Sequence, residues 1–167
     1  LSSRFLNQDE ENLSSAQFKG LGKEGVELIA AKNDKDFSVG KVVAVQDIDT
    51  YSKRDYGKPY RSMQVGMLPP KLAQILINLT GVRPGGRIWD PFCGTGTLVA
   101  EGLLSGHMML GSDIDRKMIF ASEQNVEWLK KEFDLKVQTE LFTHDATEPL
   151  KKSFDAIACE GYLGPPQ

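Results

Sequence analysis

The chain has 167 residues, 40% of them apolar, and a formal net charge of −3. This size predicts one main domain around a single core, with a small appendage. The acidic balance excludes a general attraction to nucleic acid, so such a partner would need a local basic patch. Two cysteines without metal-ligand spacing predict neither a disulfide nor a metal site, and the lack of a long apolar run or leader predicts a soluble, cytoplasmic protein without membrane contact.

The first part of the chain, residues 1–65, is predicted to be a linker and β-hairpin region. Two short β-prone runs, 25–31 and 41–46, flank the turn-rich segment 33–36, which indicates an antiparallel pair. We expect the second part, residues 66–167, to form the larger domain.

A basic, tyrosine-containing segment at 51–61 joins these parts. It interleaves four cations with three tyrosines, a mixture that can contact phosphates and stack on bases, although a solvated connecting loop has the same composition. Both interpretations stay open at this point. If the first holds, the phosphate contacts are Lys53, Arg54, Lys58 and Arg61.

Alternating helices and strands are predicted from residue 69 onward. A prolyl pair begins a helix whose core-facing side is Leu72, Ile75, Leu76 and Leu79. Strands follow at 87–89, 108–112, 137–142 and 154–159, and the first two of them are followed by helices at 97–105 and from the Asp115 cap to about residue 133. Strands and helices that alternate at these lengths predict the α/β class with a parallel sheet.

Acidic residues stand at or just after the end of every predicted strand. In an open parallel sheet these ends meet at the edge where ligands bind. Each acid alone would be an ordinary cap or turn residue, but four in succession indicate a site. They are Asp90, Asp113 with Asp115, Asp145 and Glu160.

The glycine turn between the first of these strands and its helix reads DPFCGTGT, residues 90–97. A dinucleotide would suit two glycines followed by an acid, yet Val99 replaces the third glycine and Asp90 would repel a pyrophosphate. S-adenosylmethionine fits better because it carries no phosphate and has cationic sulfonium and ammonium groups. Asp113 then suits the ribose, Asp145 the adenine, and Asp90 the methionine end.

Five motifs in order resemble the S-adenosylmethionine-dependent RNA methyltransferases associated with THUMP domains, most of all those that methylate the exocyclic amine of guanine in transfer RNA. The similarity covers about residues 41–166 and rests on MLPPKLAQILINL (67–79), DPFCGTGT (90–97), GSDID (111–115), HDAT (144–147) and DAIACEGYLGPP (155–166). It implies a Rossmann-like class I methyltransferase fold, incomplete at its carboxyl end.

The resemblance also implies the site residues. Cys93 is expected to be a small turn residue and not a nucleophile, and Thr97 has a helix cap as its alternative role. The implied cofactor contacts are Asp90, Phe92, Cys93, Gly94, Thr95, Gly96, Thr97, Asp113, Ile114, Asp145 and Ala146.

The fourth motif departs from the family pattern, in which Asp or Asn is followed by Pro-Pro-Tyr. Here Glu160 takes the place of the acid, and the aromatic residue comes one position early. The implied catalytic residues are Glu160, Gly161 and Tyr162, and the implied partner is an RNA, most simply tRNA. A DNA amino-methyltransferase and a cofactor-binding but inactive subunit remain alternatives. Both ends look cut, so we expect a fragment, inactive alone, that self-associates through an unpaired strand at 155–159.

Overall fold

The computed structural model describes residues 28–32, 36–61 and 68–161. The chain divides into two compact units, residues 1–51 and 52–167. Among the residues described, no helix combines the length and apolar character that crossing a membrane requires.

The first unit contains a two-stranded antiparallel hairpin, as predicted. Strand β1 is Leu28–Lys32 and strand β2 is Phe37–Lys41, with Leu28 opposite Lys41. The second strand therefore begins earlier than the predicted 41–46. The pairing of Lys32 with Phe37 sets the register, and the β-branched valines at 42, 43 and 45 follow the paired residues without belonging to a strand.

The basic, tyrosine-containing segment is partly helical, although the sequence pattern predicts no helix there. Helix α1 is Ile48–Tyr56, and the division between the units falls within it. Asp47 caps this helix, since its Oδ1 accepts from the Thr50 amide at 3.1 Å. Hydrophobic periodicity does not indicate this helix, because its first turns carry few apolar residues.

The second unit is an α/β domain. Helix α2 is Pro70–Leu79, strand β3 is Arg87–Asp90, helix α3 is Thr97–Leu104 and strand β4 is Met108–Asp113. Helix α4 is Arg116–Glu132, strand β5 is Thr139–Thr143 and strand β6 is Ala156–Ile157. The four strands form one parallel sheet in the order β5-β4-β3-β6, which confirms the predicted class.

The core of this unit lies between the sheet and helices α2, α3 and α4. Ile88, Val99, Leu103, Met109 and Leu129 are almost completely buried there. The strand order reverses at β3, where the chain goes first to β4 on one side and later to β6 on the other. Such a switch point opens a crevice at the carboxyl ends of the strands.

Helix α2 has the predicted bounds but presents a different face to the core. Ala73 and Ile77 are buried, whereas Leu72, Ile75 and Leu79 are 42%, 52% and 77% exposed. The predicted core-facing side is therefore wrong for these three residues. The helix carries apolar side chains on more than one side, so periodicity alone does not select the side that packs.

Candidate cofactor and active site

The glycine turn leads from β3 into α3 and has a left-handed backbone at two positions. Gly94 has φ +50° and Gly96 has φ +83°, a region that favours glycine. Gly96 also lies against α4, because an added Cβ would approach Ser122 Oγ to 2.3 Å. Both glycines of the motif are thus required by the backbone conformation, and the second is required by packing as well.

Asp113, the predicted ribose-binding acid, holds the glycine turn at the end of β4. Its Oδ2 accepts from the Gly94 amide at 3.0 Å, and its Oδ1 accepts from the Asp115 amide at 2.9 Å. The side chain is half-buried, and each carboxylate oxygen has a further lone pair for a ligand hydroxyl. The structure therefore brings Asp113 and the glycine turn together, as the sequence predicts.

Asp90 is a buried acid at the end of β3, only 2% exposed. Burial raises the pKa of its carboxyl group to about 7; the Phe92 amide, which donates to Oδ1 at 3.1 Å, opposes this, and Asp113 and Glu160 reinforce it. The carboxylate is therefore costly to ionise without a nearby cation. A positively charged ligand group beside Asp90 would favour the ionised form.

Cys93 is a buried turn residue. Its amide donates to the Ser112 carbonyl at 2.9 Å, which ties the turn to β4. Burial raises the pKa of its thiol, and Asp90 and Asp113 raise it further. A thiol held protonated in this way is a poor nucleophile, in agreement with the structural role expected for it.

Asp145 follows β5 at the same edge of the sheet. The His144 amide donates to the Asp113 carbonyl at 3.0 Å, so this loop adjoins the end of β4. Thr147 donates to Asp145 Oδ1 from its amide at 2.9 Å and from its hydroxyl at 2.7 Å, and these bonds lower the pKa of the carboxyl group. Asp145 is exposed and ionised, and Ala146 beside it is half-buried.

Apolar and acidic side chains complete this edge. Phe92 and Ile114 are 50% and 70% exposed. Glu160 is exposed and close enough to Asp90 to raise the pKa of that carboxyl group. Gly161 is exposed too, and an added Cβ there would meet no atom of the described residues within 4 Å, while Tyr162 lies outside them.

Thr97 does not cap helix α3 with its side chain. Gly96 is the N-cap, without a side-chain cap bond, and the Thr97 hydroxyl accepts from Lys58 Nζ at 2.8 Å. The alternative role as a helix cap is therefore wrong. Thr95 is held through its carbonyl, which accepts from Asn125 Nδ2 at 2.9 Å.

Asn125 is a structural residue of the site that the motifs do not identify. It is 3% exposed on α4, its Oδ1 accepts from the Tyr60 amide at 2.8 Å, and its Nδ2 donates to the Tyr60 carbonyl at 2.9 Å. A buried amide must be hydrogen-bonded, so an asparagine beside Val126 on a core-facing helix is the signal that identifies it. Asn125 joins the Tyr60 segment to the glycine turn.

Three of the predicted phosphate-contacting residues interact with other side chains of this unit. Arg54 Nε donates to Glu101 Oε1 at 2.8 Å, with the two side chains 9% and 1% exposed, and Lys53 pairs with Glu132. Arg61 is exposed, with its guanidinium 4.9 Å from the centroid of the Tyr56 ring.

Within the described part of the chain, no group of three or more potential metal ligands is found.

Comparison with known proteins identifies relatives of this chain. A tRNA (guanine(10)-N2)-dimethyltransferase of Methanothermobacter thermautotrophicus is 34% identical over 57% of this chain and 28% of its own length. A tRNA (guanine(10)-N(2))-methyltransferase of Saccharomyces cerevisiae is 31% identical over 56% of this chain and 21% of its own length. The chain thus spans less than a third of the length of either relative.

Solved structures show the same fold. A precorrin-6y C5,15-methyltransferase of Geobacter metallireducens superposes with a TM-score of 0.53 at 11% identity, covering 66% of this chain and 57% of that one. A Pyrococcus horikoshii protein, provisionally assigned as an RNA methyltransferase, has a TM-score of 0.51 at 20% identity over 72% and 60%. The Rossmann-like methyltransferase fold predicted from the motifs is therefore confirmed.

The match to a family model decides the assignment. It extends over residues 58–162 and includes the glycine turn and all four strand ends. The prediction of an S-adenosylmethionine-dependent methyltransferase domain is thereby confirmed. The chain belongs to the family of RMKL-like methyltransferase domains.

Proposed function

We propose that this domain binds S-adenosylmethionine at the carboxyl edge of its sheet and methylates the exocyclic amine of a guanine in tRNA. The observation that supports this most is the junction of Asp113 with the glycine turn at the switch point of the sheet. The names of the relatives, which are tRNA guanine-N2 methyltransferases, support the substrate class.

The residues at this edge fit S-adenosylmethionine better than a phosphate-bearing cofactor. Asp90 is buried with a raised pKa, so a neighbouring anion would oppose its ionisation further, whereas a cation would favour it. Asp113 has acceptor capacity for ribose hydroxyls, and the exposed Phe92 and Ile114 offer apolar surface for a planar ring. When bound, this cofactor supplies a methyl group activated by a sulfonium.

The cofactor assignment is tested by replacing Asp113. We expect Asp113→Ala to weaken S-adenosylmethionine binding by about 10- to 150-fold, since a hydrogen-bonded charged acceptor contributes about 1.5–3 kcal/mol. Calorimetry on the chain measures this. Asp115→Asn is the control because it keeps the helix cap, and it should bind normally. Unchanged affinity in Asp113→Ala, or tighter binding of NAD than of S-adenosylmethionine, would reject the assignment.

Glu160 is the proposed catalytic acceptor. An exocyclic amine is a poor nucleophile because its lone pair is delocalised into the ring, so attack requires the nitrogen to become pyramidal. A carboxylate that accepts one amine hydrogen favours that geometry and stabilises the developing positive charge. Glu160 is exposed near Asp90, and the glycine at 161 has no side chain to obstruct a base that approaches it.

The catalytic role is tested in the full-length protein that carries this domain. Glu160→Gln should lower turnover by about 100-fold or more and leave cofactor affinity nearly intact, because only the transition state loses an interaction. Glu123→Gln, an exposed substitution on α4, is the matched control. Turnover of Glu160→Gln within a few-fold of the parent would remove Glu160 from the mechanism.

The substrate class is tested by methyl incorporation into tRNA and into duplex DNA with the same protein. We expect incorporation into tRNA and none into the duplex. Incorporation into DNA would favour the amino-methyltransferase alternative, and cofactor binding without any incorporation would favour an inactive subunit. A tRNA substrate and two cysteines that form no disulfide with each other also support the proposed cytoplasmic location.

A further inference from the structure

A second concave surface lies beside the amino terminus of helix α4. It is an open groove of about 720 Å³ that adjoins the glycine turn at Thr95. Apart from Thr95, none of the residues that line this groove is among the proposed cofactor contacts. Its aromatic and basic lining residues are Tyr60, Arg61, Arg116, Lys117 and Phe120.

Two aromatic rings form one part of this groove. Tyr60 and Phe120 meet edge to face, with ring centroids 5.7 Å apart and planes at 83°. They nevertheless remain 41% and 51% exposed. Exposed aromatic rings beside a groove provide a surface on which nucleic-acid bases stack, and each stacked base contributes substantially to affinity.

Cations surround the aromatic pair. Arg61, Arg116 and Lys117 are all exposed, and among the described lining residues the only acid is Asp115. The Asp115 carboxylate already accepts from the Lys117 amide at 2.8 Å as the cap of α4. The groove is therefore basic, although the chain as a whole has a net charge of −3.

The position of two of these cations opposes the helix dipole. Arg116 and Lys117 occupy the first turn of α4, whose last turn also carries Lys130 and Lys131. Cations are favourable at the carboxyl end of a helix and unfavourable at its amino end. The positive charge of the first turn is thus not explained by stabilisation of α4, and an anionic ligand in the groove would be attracted by both the side chains and the helix terminus.

We propose that this groove binds a single-stranded segment of the RNA substrate, with a base stacked on the Tyr60–Phe120 pair and phosphates at Arg61, Arg116 and Lys117. The proposal rests on the RNA methyltransferase function proposed above and places part of its substrate. Aromatic rings interleaved with cations suit a single strand, whose bases are free to stack, better than a duplex.

The groove is also placed to present RNA to the cofactor edge. Asn125 holds both the amide and the carbonyl of Tyr60, and the same side chain donates to the Thr95 carbonyl at 2.9 Å. One buried residue therefore supports a wall of the groove and the turn next to Gly94 and Gly96. An RNA strand bound in the groove would run beside the glycine turn that is proposed to contact the cofactor.

The test is RNA affinity measured by fluorescence anisotropy on the chain, with a labelled single-stranded RNA of about 12 nucleotides, within the ~4–16 that one such site covers. Phe120→Ala should weaken binding by about 5- to 150-fold, the range for loss of one stacked base, and Phe120→Tyr should retain it. Circular dichroism spectra of both variants check that the exposed substitutions leave the fold intact.

The charge contribution is tested by a pair of matched double variants on one helix. Arg116→Ala with Lys117→Ala should reduce the slope of log affinity against log salt by about 1.4, since each phosphate contact to a single strand contributes ~0.7. Lys130→Ala with Lys131→Ala removes the same charge at the other end of α4 and should leave the slope unchanged.

Unchanged affinity in Phe120→Ala would overturn the stacking site, even if the first-turn variant lost affinity, because the groove would then be a charged surface only. Equal losses in both double variants would overturn it as well. Methyl transfer by the full-length protein separates the two proposals. Transfer to tRNA with unaltered binding in the groove variants rejects the groove alone, and groove-dependent binding without transfer to any tRNA rejects the enzyme alone.

Discussion

The ionisation of Asp90 has a consequence for stability at the scale of one residue. Burial raises the pKa of this carboxyl group to about 7 in the folded protein, against its ordinary value of 3.8 in an unfolded chain. Between these values the folded state binds a proton that the unfolded state has lost, so the contribution of Asp90 to stability is greatest below about pH 4, falls toward pH 7, and then levels.

Asp90→Asn should therefore be more stable than the parent at pH 8 and lose that advantage near pH 4. In the parent, ionisation of Asp90 lowers the free energy of unfolding by at most about 1.4 kcal/mol per pH unit, and the substitution removes this decline. Urea unfolding at several pH values measures the difference. Asp145→Asn is the control, because the pKa of the Asp145 carboxyl group is lowered and not raised in the folded protein. Parallel stability curves for Asp90→Asn and the parent would contradict a raised pKa.

The same residue predicts how cofactor binding depends on pH. A cationic ligand next to Asp90 favours its carboxylate, so the affinity for S-adenosylmethionine should rise as the pH passes through about 7 and a proton should be released on binding. Calorimetry in buffers of different ionisation enthalpy detects that proton. Proton release that persists in Asp90→Asn would exclude Asp90 as its source.

Helix α1 contributes a buried ion pair that changes the expectation for Arg54. Glu101 accepts from Arg54 at Oε1 and from Gln74 at Oε2, each at 2.8 Å, and burial raises the pKa of its carboxyl group although Arg54 lowers it. Arg54 therefore serves packing between α1 and α3. Of the predicted phosphate contacts, Arg61 is the one that also lines the groove.

Removing Arg54 should destabilise the domain strongly. Arg54→Ala leaves the Glu101 carboxylate buried without its cation, which costs about 3–5 kcal/mol. Lys53→Ala, at the neighbouring position in an exposed pair with Glu132, should cost less than about 1 kcal/mol. Urea unfolding compares them. Similar losses for both variants would mean that the Arg54 pair is not a buried interaction in solution.

The elements that the sequence predicts correctly are those with local signals. The Asp115 cap of α4 and the stop of α3 at Gly106, which has φ +82°, follow from side-chain and backbone chemistry within a few residues. The packed side of α2 and the register of β2 depend on which partner surface is available, and sequence periodicity carries no such information.

The same division holds for the candidate site. Acids at strand ends are recognisable because parallel topology gathers them at one edge, as Asp90 and Asp113 demonstrate. Asn125 and Lys58 act on the turn from a distant helix and loop, at sequence separations of 30 and 39 residues. Only tertiary contact brings such residues to the turn, so motif spacing does not identify them.

At the scale of the whole molecule, two exposed apolar features predict self-association. Strand β6 is at the edge of the described sheet and pairs there with β3, with Ile157 50% exposed. Helix α2 exposes Leu72, Ile75 and Leu79 on its surface. Edges and apolar patches of this kind favour pairing between copies of a chain.

We expect the apparent mass of the chain in light scattering to rise with concentration. Ile157→Lys should reduce the association if the strand edge carries it, and Leu79→Lys should reduce it if the helix does, because an exposed charge opposes burial at either surface. A monomer at every concentration would show that neither surface pairs in solution.

The turn at residues 93–95 is held from three separate directions before any ligand arrives. Ser112 accepts from the Cys93 amide, Asp113 accepts from the Gly94 amide, and Asn125 donates to the Thr95 carbonyl. The loss of conformational entropy that binding usually requires of a loop has therefore already occurred during folding. The interactions that a cofactor makes with this preorganised turn then contribute to its affinity without a separate cost of ordering the backbone.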